Sequence, residues 1–332
     1  MKKILIYEAN SNQALAISKY LKSYSNYYIV GAVEIEQRFS RKSYNKIIIQ
    51  SFLDININEY DYILPMGAGS SFEILSKYKS LNYCNSISFT KNSLIVFDKP
   101  KMLGIANKIT VPIPKTYYRK EEIEAFPIFY KEDFENGGGV RGVANDLIEI
   151  PNYDNLIYQE FISTPSTYGV GFVAKNGKIL TYTLHKEVIS LPLEGGSSVV
   201  IESFDDERIL AYTQKLLEKT NYNGWGLAEY KYCDKRDDFV FMEINGKFWA
   251  SIEFMLKGNP LFLKYLLGIK YKKKPIKRII FVTRLFQYNF MDILKNIKYI
   301  LGSKIIKESC LFYQIIRKVV PNRVVDFIKK IK

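Results

Sequence analysis

The stretch Gly226-Leu-Ala-Glu229-Tyr-Lys-Tyr-Cys-Asp234-Lys-Arg-Asp237-Asp238-Phe-Val-Phe241-Met-Glu243-Ile-Asn245-Gly-Lys247 decides how this chain is to be read. Two apolar arms flank the polar run Asp234–Asp238, the pattern of a hairpin. Strand side chains alternate between faces, so Glu243 and Asn245 share one face, and Glu229 can lie beside them on the neighbouring strand. Two carboxylates and an amide converging on one point make an all-oxygen site, which suits Mg2+ rather than Zn2+. Mg2+ held by so few protein groups completes its shell with water and nucleotide phosphates, so ATP is the implied ligand. Glu-X-Asn is also common on ordinary strands, and the upstream half of the chain has to be weighed with it.

Composition narrows the field. The 332 residues suffice for two or three lobes with a cleft between them. Cys84, Cys233 and Cys310 are scattered, odd in number and never in C-x-x-C spacing, which points to a reducing cytosol and away from a disulfide framework or thiolate zinc. His185 is the only histidine, so histidine-cluster metal sites are excluded, and a Ser-His-Asp triad has no nucleophile motif nearby. The start, Met1-Lys-Lys-Ile-Leu-Ile-Tyr, turns polar too soon for a signal-peptide core, and no apolar run of ~18 residues is present to span a membrane. Residues 270–332 hold 17 Lys and Arg against 3 Asp and Glu, while the remainder is balanced. The basic charge therefore describes the tail and not the body, which weakens any case for a general nucleic-acid binder.

Along the chain, strands at 3–7, 28–33, 46–50 and 61–65 alternate with a helix over 13–24 and another over 72–79, opened by Gly67-Ala-Gly-Ser-Ser71. This βαβ rhythm predicts a doubly wound α/β domain ending near residue 90. The Gly67 loop lacks the full G-x-G-x-x-G pattern, although its helix N-terminus could receive an anionic substrate group. A helix over 100–108 and the strand Pro127–Lys131 follow. The run Gly137-Gly-Gly139-Val-Arg141-Gly142 after Lys131 reads equally as a flexible loop against phosphates or as a plain hairpin turn. Strands at 156–162, 168–174 and 178–185 follow, the last two paired around Asn176-Gly177. The small-residue loop Gly195–Ser198 and a helix over 205–219 then lead to the Glu229 strand.

In this order the segments resemble the ATP-grasp superfamily, most closely its carbamoyl-phosphate-synthase-like and biotin-carboxylase-like branches. The resemblance covers residues 1–268 and rests on Phe97-Asp-Lys99, Val111–Lys115, Pro127–Lys131, Gly137–Gly142, Tyr158–Ile162 and Glu229…Glu243-Ile-Asn245. It implies a doubly wound pre-ATP-grasp domain over 1–90, an ATP-grasp domain of two α+β lobes clasping ATP over 91–268, and a basic helical tail over 269–332. It further implies that Lys99 and Lys131 contact phosphates, that Gly137, Gly138 and Gly139 close over them, and that Gln159, Glu160, Phe161 and Ile162 form the hinge that reads adenine. Glu243 would bridge two Mg2+ ions, with Glu229 and Asn245 completing the shell. Arg141 and Lys247 would offset developing charge, Lys186 would supply a further phosphate contact, and His185 would be structural. Two departures stand out. Lys247 replaces the usual Arg, losing bidentate recognition, and Ser166 stands where relatives carry a ribose-binding Glu.

The implied activity is ATP-dependent joining of a small-molecule carboxylate to an amine through an acyl phosphate. A kinase-like relative phosphorylating a small acceptor, or a degenerate nucleotide-binding scaffold, would share most of these residues. The implied setting is bacterial surface-polysaccharide or small-peptide synthesis in the cytoplasm, with a homodimer as the common assembly and no specific nucleic acid. In the tail, residues 305–320 and 324–331 read as amphipathic helices that either pack on the body or lie on the anionic inner face of the membrane.

Overall fold

The computed structural model describes residues 1–77, 81–82, 88–134, 139–164, 166–191, 197–272, 276–285 and 303–306. The chain opens with β1 (Lys3–Tyr7), α1 (Asn12–Tyr24), β2 (Tyr28–Val33), β3 (Lys46–Ile49), β4 (Tyr62–Leu64) and α2 (Ala68–Lys77). The four strands form a parallel sheet in the order β3-β2-β1-β4. Ile4, Leu5 and Ile6 are fully buried, as expected of a continuous apolar run in a parallel strand covered on both faces. Ser11 caps α1 by accepting from the Ala14 N–H. A short ribbon, β5 (Leu81–Asn82) with β6 (Ser88–Phe89), precedes α3 (Lys99–Lys108). Asp98 caps α3, with Pro100 in its first turn.

A second sheet follows, built from β7 (Thr116–Tyr117), β8 (Ile128–Glu132), β9 (Arg141–Ala144) and β10 (Leu156–Glu160) in the order β7-β10-β8-β9. Its pairs are antiparallel, and alternation sorts the side chains. Ile128, Ala144, Leu156, Tyr158 and Tyr117 form a small core on one face. Phe129, Lys131, Arg141, Ile157 and Gln159 belong to the other. The glycine-rich stretch is thus partly strand, because β9 begins at Arg141.

The third sheet carries β11 (Thr167–Lys175), β12 (Lys178–Leu191), β13 (Ser197–Ser203), then α4 (Glu207–Thr220), β14 (Gly224–Cys233), β15 (Asp238–Asn245), α5 (Ile252–Gly258), α6 (Leu261–Leu267), β16 (Arg278–Phe281), α7 (Val282–Leu285) and β17 (Lys304–Ile306). Its order is β15-β14-β11-β12-β13-β16-β17. The expected turn between β11 and β12 is present, with Asn176 and Gly177 both at positive φ. Helix α4 lies against one face, where Thr213 Oγ1 and the Tyr230 hydroxyl are 2.8 Å apart. On the other face Phe254 of α5 meets the His185 ring edge-on.

The region after residue 268 differs from the expected helical tail. Residues 278–281 and 304–306 are strands of the third sheet, with Ile279, Ile280 and Phe281 buried and Arg278 bonded to Glu202 of β13. Ile305 and Ile306, placed by pattern at the start of a helix, extend this sheet instead. Their β-branched side chains suit a pleated surface, and β16 offers an edge with open hydrogen-bonding groups. The rest of the two expected tail helices lies outside the described residues.

Candidate active site

The site grows from an irregularity in the β14–β15 hairpin. Leu227 faces Asn245, Ala228 faces Ile244 and Glu229 faces Glu243; the register then slips, so that Tyr230 faces Phe241 and Met242 is the extra residue. Such a bulge re-aims side chains and takes one residue out of the ladder. The Met242 carbonyl accepts from Lys131 Nζ at 3.2 Å, and the same ammonium donates to Glu243 Oε2 at 3.1 Å. Asn245 Nδ2 donates to Glu229 Oε2 at 2.9 Å and to Glu243 Oε1 at 3.3 Å. The three groups expected to hold a metal are therefore in mutual contact.

Three lysines surround them. Lys131 comes from β8 of the second sheet and is buried. Lys99, also buried, opens α3, where its backbone N–H donates to the Asp133 carbonyl at 2.9 Å. Lys247 is half-buried two residues beyond Asn245. Burial pushes the Glu243 carboxyl up, but the charges of Lys131, Lys99 and Lys247 outweigh it and hold the group down at about 2. Glu229 moves the other way: burial, then the charges of Glu243 and Glu187, lift it well above the usual carboxylate range. The two carboxyls are thus driven in opposite directions, Glu243 towards its ionised form and Glu229 towards its protonated form.

A divalent cation would take that proton's place. Among the described residues no group of three or more His, Cys, Asp or Glu is gathered to hold a metal. Two carboxylates and an amide leave most of a coordination shell to water and phosphate oxygens, which fits Mg2+ and not a closed protein cage.

The remaining expected residues divide. Arg141 faces Lys131 in register and is exposed. Gly139 is exposed just before β9, whereas Gly137 and Gly138 lie outside the described residues. Gln159 is completely buried on the Lys131 side of its sheet, its Nε2 donating to Thr116 Oγ1 at 3.1 Å and its Oε1 without a partner. Glu160 turns to the opposite side, accepting from the Lys115 N–H at 2.9 Å and from Arg236, which ties the hairpin to the second sheet. Phe161 and Ile162 follow the strand half-buried.

Lys186 is not brought to the site. It faces Tyr168 across the ladder, 5.5 Å from the ring centroid, on the sheet face opposite Glu229. Alternation places His185 and Glu187 on the Glu229 face instead. The Gly67–Ser71 helix start is likewise filled from within, because Glu8 accepts from the Gly67 N–H and from Ser70 Oγ. Glu8 sits at φ 58°, and a Cβ on Gly67 would lie 2.4 Å from its carboxylate. The anionic group expected there is the chain's own.

Three residues were missed from sequence. Lys231 was legible, lying two past Glu229 on the same face; its Nζ reaches the Thr164 carbonyl at 3.3 Å. Glu187 required the parity of β12. Arg284 gave no signal, because it comes from the supposed tail; it is buried and donates to the Ser198 and Ala250 carbonyls.

No known family profile and no curated sequence matches the chain. Solved structures do. The N5-carboxyaminoimidazole ribonucleotide synthetase of Thermus thermophilus superposes with a TM-score of 0.63 at 13% identity, over 88% of this chain and 86% of its own. The Staphylococcus aureus N5-carboxyaminoimidazole synthetase complexed with ADP gives 0.62 at 12% identity, over 93% and 90%. The biotin carboxylase–β,γ-ATP complex of Campylobacter jejuni gives 0.60 at 16% identity, over 83% and 74%. The fold is ATP-grasp. In this structure Lys131 of the second sheet meets Glu243 of the third, beside Glu229 and Asn245. The match in shape spans most of the chain, at sequence identities of only 12–16%.

Proposed function

We propose that the protein is an ATP-dependent carboxylate–amine ligase that works through an acyl phosphate. The observation that carries this reading is the contact set Lys131–Glu243–Asn245–Glu229 between the lobes, with Lys99 and Lys247 beside it. A carboxylate is a poor electrophile and hydroxide a poor leaving group; transfer of the γ-phosphoryl group to the carboxylate corrects the second defect. Mg2+, when bound, neutralises phosphate charge and aligns the transferring group. Glu229, Glu243 and Asn245 are the residues that would hold it, and two ions are proposed. Lys131, Lys99 and Lys247 would bind phosphate oxygens, and Arg141, exposed opposite Lys131, would offset charge on the transferring group. Gln159 and the segment to Ile162 would hold the adenine, the buried Oε1 of Gln159 being an acceptor in need of a donor.

The structures matched include synthetases, a biotin carboxylase and an L-amino acid ligase of Bacillus licheniformis, which supports ligation over simple phosphorylation. By the same resemblance the division of the chain at residues 90 and 268, a homodimer, and a role in surface-polysaccharide or small-peptide synthesis are carried as proposals. Among the described residues no helix is long and apolar enough to cross a membrane. Attachment to an anionic membrane surface is carried as a proposal too: of the tail's basic residues, Lys270, Lys272 and Lys277 are exposed, whereas Arg278 is bonded to Glu202.

The test is ADP release measured against a matrix of carboxylates and amines, with products read by mass spectrometry. Release that requires both substrates, with an amide as product, is expected. A stable phosphorylated acceptor seen by phosphorus NMR would replace ligation with a kinase activity.

A further inference from the structure

The chain enters the second sheet through residues 111–115 and leaves it after Glu160. Both crossings are fastened to the hairpin that carries Glu229 and Glu243. On the way in, the Phe241 N–H of β15 donates to the Pro112 carbonyl at 2.8 Å, and Arg236 Nη1 donates to the Ile113 carbonyl at 3.0 Å. The crossings then pair with each other. The Glu160 N–H donates to the Lys115 carbonyl at 2.9 Å, and the Lys115 N–H donates to Glu160 Oε1 at 2.9 Å. Arg236 Nη2 donates to that same carboxylate oxygen. On the way out, Lys231 Nζ of β14 donates to the Thr164 carbonyl at 3.3 Å.

Arg236 stands at the tip of the hairpin, in the turn Asp234–Arg236 closed by the left-handed Asp237. Its guanidinium holds entry and exit with separate nitrogens, a use of the planar fork that a lysine does not reproduce. The hairpin thus grips the exit segment at Glu160 and again at Thr164, with Phe161 and Ile162 between the two anchors. Glu160 lies on the sheet face opposite Lys131, so its carboxylate serves the crossings and not a ligand on the Lys131 side. The Arg236 and Glu160 side chains are 37% and 33% exposed. An ion pair that open to water adds little to folding stability.

We propose that Arg236, Glu160 and Lys231 are positioning residues for the nucleotide base, clamping the exit segment to the hairpin that carries the metal groups. The inference rests on the ligase reading, in which residues 159–162 hold the adenine, and adds the device that fixes base and metal groups in one frame. Lys131 has its own bond to Glu243, apart from these fastenings. Phosphates are therefore held whether or not the clamp is intact, whereas the base needs the exit segment in one place. A segment fixed beforehand loses little freedom when the base arrives. Once released, it has to be ordered by the ligand, and affinity falls. The loss is confined to ligands that carry the base.

The test compares, by calorimetry on the full chain, a β,γ-imido ATP analogue with tripolyphosphate, each with Mg2+; the second has the phosphates without the base. The wild type should prefer the nucleotide. In Arg236→Met the nucleotide affinity should fall about fivefold, as for a lost hydrogen bond, with tripolyphosphate affinity unchanged. Arg236→Lys, which keeps the charge without the fork, should restore the preference only in part. Adding Glu160→Gln to Arg236→Met should cost less than the two single losses combined, because the pair acts as a unit. An unchanged preference in Arg236→Met, whatever its melting midpoint, or equal falls for both ligands, would overturn the proposal. A wild type that binds tripolyphosphate as tightly as the nucleotide would refute the base-binding segment itself, and the clamp with it.

Discussion

Lys131 and Glu243 belong to different sheets, yet the lysine Nζ lies 3.1 Å from the carboxylate Oε2, with both groups largely withdrawn from water. The pair joins the second sheet to the third. Separating it would leave a buried charge on either side, which is costly. Bound phosphate would offer Lys131 a second anion, and a bound cation would offer Glu243 a second positive charge, so ligand binding can loosen this contact without exposing either charge alone.

Glu243→Gln should abolish the response to Mg·ATP. With ligand at a hundredfold excess over Kd, the wild type gains ~2.7 kcal/mol. For domains of ~150–250 residues that moves the melting midpoint by roughly 5–11 °C. The variant should show no Mg2+-dependent shift in differential scanning fluorimetry.

Two lysine variants separate the faces of the sheet structure. Lys131→Met should weaken Mg·ATP binding about tenfold or more, as expected for loss of a charge-assisted contact. Lys186→Met, on the face away from Glu229, should leave the affinity measured by calorimetry unchanged. Equal losses would mean that the face assignment of Lys186 is wrong.

Glu229 should make the ligand-free protein less stable as pH rises. Its carboxyl is raised in the fold, so its contribution is full below about 4.5 and is lost as pH climbs through the folded value. Glu229→Gln should remove that slope in urea denaturation between pH 5 and 8, raise stability at the alkaline end, and destroy Mg·ATP binding. Gain of stability with loss of binding is the pattern of a site held under strain for function.

His185 should impose the opposite slope. Held down at about 4 by burial, it stays neutral while the unfolded chain takes up a proton below about 6.5. Stability is therefore lost as pH falls through that window, by about 2 kcal/mol at pH 5. The difference in denaturation free energy between wild type and His185→Phe should change by that amount between pH 7.5 and 5.

Cutting the chain after Gly268 should prevent cooperative folding, because it strips β16 and β17 from β13 and removes the buried Arg284. A chain ending after Ile306 should melt cooperatively. Circular dichroism on both would show whether the residues from 278 to 306 belong to the body.

Much of the site was legible because strand geometry has a period of two. From one hairpin, alternation puts Glu243, Asn245 and Glu229 on a common face, and all three are in contact. The same rule applied to β12 puts Glu187, and not Lys186, on that face, but only once the pairing Glu229–Gly169–His185 is known. The bulge at Met242 has no local signature at all. Glu8 in the mouth of α2 was hidden for a similar reason: its left-handed backbone, and not its identity, turns the carboxylate to Gly67.

By itself the sequence determined the alternation of apolar and polar residues, hence the strands, the hairpin and the oxygen-rich face that implies Mg2+ and nucleotide. Tertiary structure alone decided which distant charges meet: Lys131 with Glu243, Arg236 with Glu160, and Arg284 with the strand that carries Ser198. Periodicity is a local property of the backbone and can be read from neighbouring residues. Convergence depends on register between strands far apart in the chain, and register is set by burying whole faces together.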